Sequence, residues 1–403
     1  MTISSPHPIQ SPRFSRGTFG LLASLALTFA ASLCAPAVFA QDKPKPEPDV
    51  IIFTNGDQLT GTVERGAGDS VVFKSDMAGE ITVPYAKIKE LRAHGAFALL
   101  RKDTRIPATN VQEGTVTYSS SKVTLTAPTG NTESVDPKNV DFLIDKSTYD
   151  KQVLARPGLL TGWKGAVTGG ATIVRSTQNG STYTAGTTLI RSIPLVPYLP
   201  PKSKSIFILN ETYGKLTSPV IPQTVPPSPD TTVKTDIFAT SFEQDEYFSP
   251  RFYALGHANF NHDFSQGLQL QQVYGGGLGW TVIKQPRQQL DLKADIHYER
   301  QHFQQEPAPA VNTPDQDLIG STISELYHRN LYKGIVFTES ADALPAFNNS
   351  NAYSADATTA LVLPVYKRLG LNISATDNFL NNPAVGFKKN SFQFVTGVTY
   401  TLP

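Results

Sequence analysis

Hydrophobic and polar residues alternate along most of the chain between residues 160 and 403. The stretch QQLDLKADIHYERQHF at 288–303 is the clearest example, because successive side chains of an extended chain point to opposite faces. One face carries Leu290, Leu292, Ala294, Ile296 and Tyr298, and the other carries Asp291, Lys293, Asp295, His297 and Glu299. The pattern predicts a strand with one apolar face and one face that meets bulk water or a wet interior.

Twelve alternating segments separated by turn signals follow one another from residue 161 onward. They are roughly 161–176, 181–193, 203–217, 231–246, 251–264, 268–284, 287–304, 317–331, 333–344, 351–364, 368–380 and 390–402. An even number of amphipathic segments joined by turns is the sequence signature of outer-membrane barrels. The predicted fold is therefore all-β, with an antiparallel barrel of about twelve strands over 160–403.

The lengths of the connections agree with this topology in part. If the N-terminal region lies in the periplasm, the odd-numbered connections face the outside and should be longer. The third and seventh connections, at 218–230 and 305–316, are long, whereas the sixth, eighth and tenth are short. The second connection, PLVPYLPPKSK at 194–204, is unexpectedly long, and the fifth, SQG at 265–267, is unexpectedly short.

In such a barrel the apolar face of 288–303 contacts lipid and its charged face lines the lumen. The last segment, SFQFVTGVTYTLP, likewise presents an apolar face, with Phe392, Phe394, Val398 and Tyr400 among its members. The outer-membrane assembly machinery recognises a terminal strand of this kind, although Leu402 and Pro403 depart from the usual aromatic ending. Twelve strands enclose a narrow interior that side chains can fill, since wide pores need 16 or more.

The first forty residues have the features of an export signal. Arg13 and Arg16 precede the apolar run 19–33, which is shorter than the ~20 residues of a transmembrane helix. Small residues at 38–40 predict cleavage after Ala40. The chain's one cysteine, Cys34, would be removed with the signal; lipidation of Cys34 is the alternative, but the preceding leucine is bulky for a lipoprotein signal.

A Pro-rich linker at 41–48 leads into a predicted small β-domain at 49–146. Its first two strands flank the hairpin signal Asn55-Gly56-Asp57. The second half resembles a degenerate copy of the first, because VDPKNVDFL at 135–143 echoes VPYAKIKEL at 83–91. We expect two small SH3-like or Sm-like barrels side by side, or one fused β-domain, in the periplasm.

Composition excludes some classes of function. With 35 basic and 34 acidic residues the chain has no field that would attract nucleic acid. Charged residues make up 17% of the chain, below the ~25% usual for soluble domains, and 15 Tyr and 22 Phe favour strands.

No motif indicates catalysis, a cofactor or a metal. The glycine-rich YGGGLGW at 274–280 has neither the spacing nor the following helix of a dinucleotide site, so we interpret it as a close-packed strand. His297, between two acidic residues, could bind a metal only with a neighbouring strand, and a ladder of hydrated charges explains it as well. The sequence contains neither a Gly-x-Ser-x-Gly elbow nor a His-Glu-x-x-His pair. We therefore predict no catalytic residue, no cofactor and no metal.

A family resemblance supports the barrel. Residues 162–403 resemble the YdiY-like family of outer-membrane proteins named as salt-induced, domain-of-unknown-function family 481. The stretches that carry the resemblance are GWKGAVTGGATIVRSTQNGSTYTAGTTLIRS, FATSFEQDEYFSPRFYALGHANFNHD and LQLQQVYGGGLGWTVIKQPRQQLDLKADIHYER. The region 50–91 is similar to the small β-domain that often precedes such barrels. The resemblance implies an outer-membrane location and no catalytic residue.

The sequence is compatible with three hypotheses. The first is an outer-membrane barrel with a role in envelope structure, stress adaptation or narrow transport, whose partners are outer-membrane lipid, lipopolysaccharide, the assembly machinery and a periplasmic partner of 49–146. The second is a soluble periplasmic β-protein that binds a ligand or a partner. The third is a barrel enzyme that acts on lipid or lipopolysaccharide.

Overall fold

The structure, a computed structural model, describes residues 47–102, 111–155, 157–175, 179–218, 231–305 and 312–402. The predicted signal peptide 1–40, its cleavage site after Ala40 and most of the linker 41–48 lie outside the described residues. Among the residues that are described, no helix has the length and apolar character needed to cross a membrane.

The N-terminal region forms one nine-stranded antiparallel sheet. Its strands are β1 (Asp49–Phe53), β2 (Gln58–Ala67), β3 (Ser70–Ser75), β4 (Gly79–Pro84), β5 (Ile88–Arg101), β6 (Gln112–Ser119), β7 (Lys122–Thr126), β8 (Thr132–Val135) and β9 (Val140–Asp145). The long strand β5 joins the two halves, because Leu91 pairs with Ile51 of β1 and Leu99 pairs with Leu143 of β9. These four residues belong to one buried apolar cluster, so the two halves share a core.

The two similar stretches of this region adopt similar local structure. In each, a strand ends at or just after a buried valine, Val83 or Val135, and one 3₁₀ turn leads into the next strand. The turns are Tyr85–Lys87 and Pro137–Asn139. Asp136 caps the second turn by accepting a hydrogen bond from the Lys138 backbone N–H at 2.9 Å. A helical turn (Lys146–Thr148) and a π-helical segment (Tyr149–Leu154) then follow β9.

The rest of the chain forms a closed antiparallel β-barrel. Its strands are β10 (Trp163–Arg175), β11 (Asn179–Ile193), β12 (Ser203–Ser218), β13 (Thr231–Tyr247), β14 (Phe252–Asp263), β15 (Leu268–Gln285), β16 (Gln288–Phe303), β17 (Gln316–Gly320), β18 (Ile323–Asn330), β19 (Val336–Pro345), β20 (Tyr353–Tyr366), β21 (Leu369–Leu380) and β22 (Asn390–Thr401). The first strand pairs with the last, with Val167 opposite Tyr400, and this pairing closes the sheet. Of these thirteen strands, β17 and β18 pair with successive parts of β16 and together occupy one strand position, so the wall has twelve strand positions. The predicted fold class is confirmed.

The eighth predicted segment, 317–331, is the one that differs most from expectation. It is interrupted at residues 321–322, and β17 and β18 pair with opposite ends of β16. The alternation of apolar and polar residues predicts no consistent apolar face here. In the structure Ile319 and Ile323 are exposed, whereas Leu318 is buried.

Aromatic pairs form two belts on the outer surface of the barrel. At the end that carries the N-terminal region, Phe252 stacks on Trp280 with ring centroids 5.6 Å apart. At the other end, Phe260 meets Tyr274 edge to face at 5.7 Å. Phe252 and Phe260 are eight positions apart on β14, which is about 26 Å of strand. Transmembrane barrels have an apolar band of ~25 Å between aromatic girdles and strands tilted by ~35–45°, so this length of strand spans about 18–21 Å of barrel height, most of such a band.

The long second connection has a structural reason. Val196 and Leu199 of this loop are buried in a cluster with Leu100, Ile144 and Tyr149 of the N-terminal region. The loop between β11 and β12 is therefore extended because it docks the small domain onto the barrel. This accounts for the exception to the predicted alternation of short and long connections.

Further contacts hold the same junction. Arg191 of β11 donates hydrogen bonds to the carbonyl oxygens of Thr161 and Pro157, in the segment that precedes β10, at 2.8 and 3.0 Å. The guanidinium carbon of Arg65 lies 4.9 Å from the ring centroid of Tyr198 in the loop. Burial raises the pKa of Tyr198, because removal from water disfavours the charged phenolate.

Candidate functional site in the barrel interior

The two faces of β16 differ in exposure as well as in chemistry. Asp291, Asp295, His297 and Glu299 are each at most 8% exposed, whereas Leu292, Ile296 and Tyr298 on the other face are 41%, 67% and 43% exposed. Leu290 is half-buried near the start of the strand. Phe392, Phe394, Val398 and Tyr400 are likewise exposed on β22. Contact of these exposed faces with lipid stays a prediction.

Lys293 forms a contact across the barrel interior. Its Nζ lies 2.5 Å from the Glu243 carboxylate, and both side chains are largely buried. Glu243 belongs to β13, and two further strands separate it from β16 in the sheet, so the ion pair must run through the interior and not along the wall. Glu243 was not predicted from the sequence, because strand parity indicates which face a residue occupies but not which distant strand its side chain reaches.

Asp295 is the centre of a buried hydrogen-bond network. Its Oδ2 lies 2.5 Å from His257 Nε2 of β14, and its Oδ1 lies 3.0 Å from His297 Nδ1. The same Oδ1 accepts from the Thr322 backbone N–H at 2.6 Å, and the Ser321 hydroxyl donates to the Asp295 carbonyl oxygen at 2.6 Å. Asp295 thus supplies partners at the interruption between β17 and β18, where the regular ladder stops.

The neighbouring carboxylates are also paired with neutral donors. Glu299 accepts hydrogen bonds from Gln271 at 2.5 Å and from Gln301 at 2.6 Å. Asp291 accepts from the Thr281 hydroxyl at 2.6 Å. Buried charges need such partners, because an unpaired charge in a dry interior is very costly.

Glycines of the YGGGLGW stretch clear space for this network. A Cβ on Gly275 would lie 2.6 Å from His257 Nε2 and 2.7 Å from His297 Cβ. A Cβ on Gly279 would lie 2.1 Å from the ring of Tyr253, which is buried. Side chains of β14 and β16 can therefore meet over β15, whose inner face is bare at these positions. The glycines serve packing, as the sequence interpretation proposed.

A second sector of the interior is lined by small, uncharged side chains. A cavity of about 270 Å³ lies among β10 to β13 and β22, with Thr172, Thr182, Thr184, Thr212 and Thr235 in its lining. Thr168 and Thr399 are hydrogen-bonded at 3.0 Å across the closing strand pair. This sector of the interior is therefore lined by uncharged polar groups, whereas the charged side chains of β16 lie in the other.

Acidic groups outnumber basic ones in the charged sector. Asp342 and Asp356 stand directly opposite each other on β19 and β20. Neither forms an ion pair with another residue of the described ranges. Asp245 of β13 is fully buried, and no described residue hydrogen-bonds to its carboxylate oxygens. Like charges placed opposite each other on a sheet are destabilising, so ionisation of both carboxyl groups would cost stability unless a cation paired with them.

One arrangement has the residue types of a nucleophilic triad. The Thr322 hydroxyl lies 3.1 Å from His297 Nδ1, and His297 Nε2 lies 3.8 Å from Glu299. His297 also contacts Asp295, and it is 3% exposed inside the barrel. Within the described ranges, no group of three or more His, Cys, Asp or Glu residues has metal-binding geometry.

The histidines of GHANFNHD fall on different faces of β14. His257 points inward to Asp295, whereas His262 is exposed and contacts the Gln269 carbonyl oxygen at 2.7 Å. The sequence spacing of five residues predicted this separation.

Taken together, the closed sheet, the polar interior and the apolar outer face define an outer-membrane-type β-barrel fold. Over residues 227–402 the chain matches the family described as "Protein of unknown function, DUF481", and the family resemblance inferred from the sequence is confirmed. No curated protein matches the chain.

Two solved structures are similar at low identity. The beta domain of the Bordetella autotransporter BrkA is 10% identical, with 60% of this chain and 98% of that chain covered and a TM-score of 0.29. The transport unit of the autotransporter AIDA-I from Escherichia coli is 11% identical, with 64% and 96% covered and a TM-score of 0.30. Both are autotransporter domains, and at these scores the likeness carries no argument about the function of this chain.

Proposed function

We propose that the protein spans the outer membrane as a narrow β-barrel and lets small hydrophilic solutes, cations in preference, pass along its threonine-lined side. The observation that carries the proposal is the reversal of polarity across the wall. On β16 the inward residues are buried and ionisable, and the outward residues are exposed and apolar. A soluble sandwich would bury the apolar face, not the charged one.

The interior supports a narrow passage and argues against a wide pore. Cross-interior contacts such as Lys293–Glu243 fill one sector, and the cavity of about 270 Å³ lies in the other. Asp342 and Asp356 are opposed on neighbouring strands, and a cation placed between them would relieve their mutual repulsion. Rings of carboxylates make a pore favour cations.

We further propose that the barrel is not an enzyme. The hydroxyl–imidazole contact of Thr322 and His297 lies inside the barrel, where His297 is shared between two carboxylates. Each of these contacts also has a structural use, because Asp295 and its neighbours satisfy the broken strand. Loss of a hydrolytic activity on lipid in the Thr322→Val variant, with folding unharmed, would refute this part.

Two measurements test the main proposal. The first is gel mobility of the unboiled and boiled protein from isolated outer membranes, where a stable barrel gives a heat-dependent shift. The second is the reversal potential of the purified protein in a planar bilayer under a KCl gradient. We expect a small conductance whose potential indicates K⁺ preference, and we expect the Asp342→Asn/Asp356→Asn double variant to reduce that preference.

A control on the same strand separates interior charge from surface charge. Glu339 lies on β19 with Asp342 but at the opposite parity, so it faces outward. Glu339→Gln should leave the reversal potential unchanged. A heat shift without conductance would contradict passage and favour a plugged, structural barrel. No shift, with the protein in the periplasmic extract, would refute the membrane barrel and favour the soluble alternative.

A further inference from the structure

A cavity opens on the rim of the barrel at the end that carries the N-terminal region. Its volume is about 580 Å³, and it lies between the turn that joins β15 to β16 and the turn that joins β18 to β19. Arg287, Arg329 and Lys333 contribute to its lining, together with Leu331 and Tyr332. No acidic side chain is part of that lining.

The three cations have no anionic partner among the described residues. None of Arg287, Arg329 and Lys333 forms an ion pair there. The two turns are tied together by the Asn330 backbone N–H, which donates to the Arg287 carbonyl oxygen at 2.7 Å. The contact fixes the spacing between the turns and so holds the basic groups around one cavity. Arginine side chains are well suited to phosphate, since the guanidinium can donate two parallel hydrogen bonds.

The cavity lies next to an aromatic pair at the end of the barrel that carries the N-terminal region. Tyr327 and Phe337, in neighbouring strands β18 and β19, meet edge to face with ring centroids 6.1 Å apart. Beyond them toward the rim, Tyr332 is 81% exposed and Leu331 is 39% exposed. Aromatic residues of membrane proteins concentrate at the level of the lipid headgroups. Basic groups placed just beyond such a belt are at the height of lipid phosphates.

We propose that this rim cavity binds the phosphate of an anionic phospholipid headgroup from the membrane leaflet that faces the N-terminal region. The proposal rests on the proposed membrane location. Arg287 and Arg329 would hold the phosphate and Lys333 would add a third positive charge. The acyl chains would run past Leu331 and the aromatic pair toward the apolar wall. We expect anionic lipids to bind more tightly than zwitterionic lipids, because the cavity has no carboxylate to pair with a headgroup amine.

Another turn on the same rim supplies a matched control. Lys367 and Arg368, between β20 and β21, are exposed and do not line the cavity. The Arg287→Gln/Arg329→Gln and Lys367→Gln/Arg368→Gln double variants each lose two positive charges. A difference between the two variants would therefore report the cavity and not the overall charge of the rim.

The test is native mass spectrometry of the full chain in detergent micelles, titrated with dioleoyl phosphatidylglycerol or dioleoyl phosphatidylcholine. We expect the wild type to retain one phosphatidylglycerol at least tenfold more tightly than phosphatidylcholine. We expect Arg287→Gln/Arg329→Gln to lose about tenfold in phosphatidylglycerol affinity, with Lys333→Gln losing less, and Lys367→Gln/Arg368→Gln to bind as the wild type does. Inorganic phosphate, added separately, should displace the lipid only weakly.

Each other outcome overturns the proposal. Equal loss in the two double variants would mean that the rim attracts anions in general. Strong binding of inorganic phosphate without preference between lipids would mean a site for free phosphate. A heat-shifted wild type with no lipid preference would refute the lipid site and leave the barrel proposal intact. If the Arg287→Gln/Arg329→Gln variant lacks the heat shift, it has not folded, and the Lys333→Gln variant, which is altered only in an exposed turn, replaces it in the test. Unchanged phosphatidylglycerol affinity of Lys333→Gln would overturn the proposal.

Discussion

Replacing Gly275 with alanine is the most direct test of the interior network. The new Cβ would lie 2.6 Å from His257 Nε2 and 2.7 Å from His297 Cβ, far inside the 3.5–4.0 Å of a normal carbon contact. One histidine must move, and its contact with Asp295 is strained or lost. Overpacking a filled interior costs about 1–3 kcal/mol. A hydrogen bond to a charged group contributes about 1.5–3 kcal/mol.

The barrel can either keep both histidines in place and accept the overpacking, or move one histidine and lose its hydrogen bond to Asp295. Only one of the two costs then applies, so we expect a loss of about 2 kcal/mol in the free energy of unfolding. That corresponds to roughly a thirtyfold change in the unfolding equilibrium constant. The assay is urea unfolding of the refolded protein in detergent, with the fraction folded read from the heat-dependent gel shift and from tryptophan fluorescence.

Gly256→Ala is the control. Gly256 lies on β14 at the outward parity, and the nearest atom to its new Cβ would be the Gly275 carbonyl oxygen at 4.0 Å. This substitution should be neutral or stabilising by up to about 1 kcal/mol, because it restricts the unfolded chain. If Gly275→Ala and Gly256→Ala had the same stability, the claim that bare positions on β15 make room for the network would be wrong.

Three further predictions follow from other contacts. Ile296→Lys should impair membrane assembly by about 2–4 kcal/mol if Ile296 faces mid-bilayer, and normal assembly in outer membranes would refute that assignment. Lys293→Met should destabilise the barrel by about 3–5 kcal/mol because it leaves the Glu243 carboxylate unpaired, and adding Glu243→Met should recover most of the loss in the same urea assay. Leu199→Asp should release the small domain, seen as faster protease cleavage between the π-helical segment and β10 with an unchanged heat shift; equal cleavage rates would contradict docking through the loop.

Alternation was sufficient to predict the wall of the barrel. Strand parity depends on local backbone geometry alone, so a single sequence assigns Leu292 and Asp295 to opposite faces without knowledge of neighbours. The number of strand positions in the wall was predicted by counting the alternating segments between turns. The interruption at residues 321–322 could not be predicted in this way, because its backbone groups are satisfied by Asp295, a residue of another strand.

Long-range partners were beyond the sequence for the same reason. Glu243 and Lys293 are 50 residues apart and on strands that are not neighbours. The function of the loop 194–204 was also hidden, since its length contradicted the expected topology until its burial against Leu100 and Tyr149 was known. In both cases a feature of the sequence did indicate an unseen contact. An isolated charge at an inward parity and an apolar loop of the wrong length each indicate an unseen partner.

The small strand number and the charged interior depend on each other. A buried ionisable side chain must find a partner or pay a large desolvation cost, and in a wide barrel that partner is water. In a twelve-stranded wall the interior is narrow enough for Lys293 to reach Glu243, three strands away. It also lets His257 reach Asp295 across Gly275, which has no side chain. Filling one sector with these contacts confines any open space to the threonine-lined sector. The proposed passage would therefore admit only small, hydrated solutes. Such a solute would meet hydroxyl groups along the cavity wall, and ionised carboxylates of the opposite sector would attract a positive charge on it.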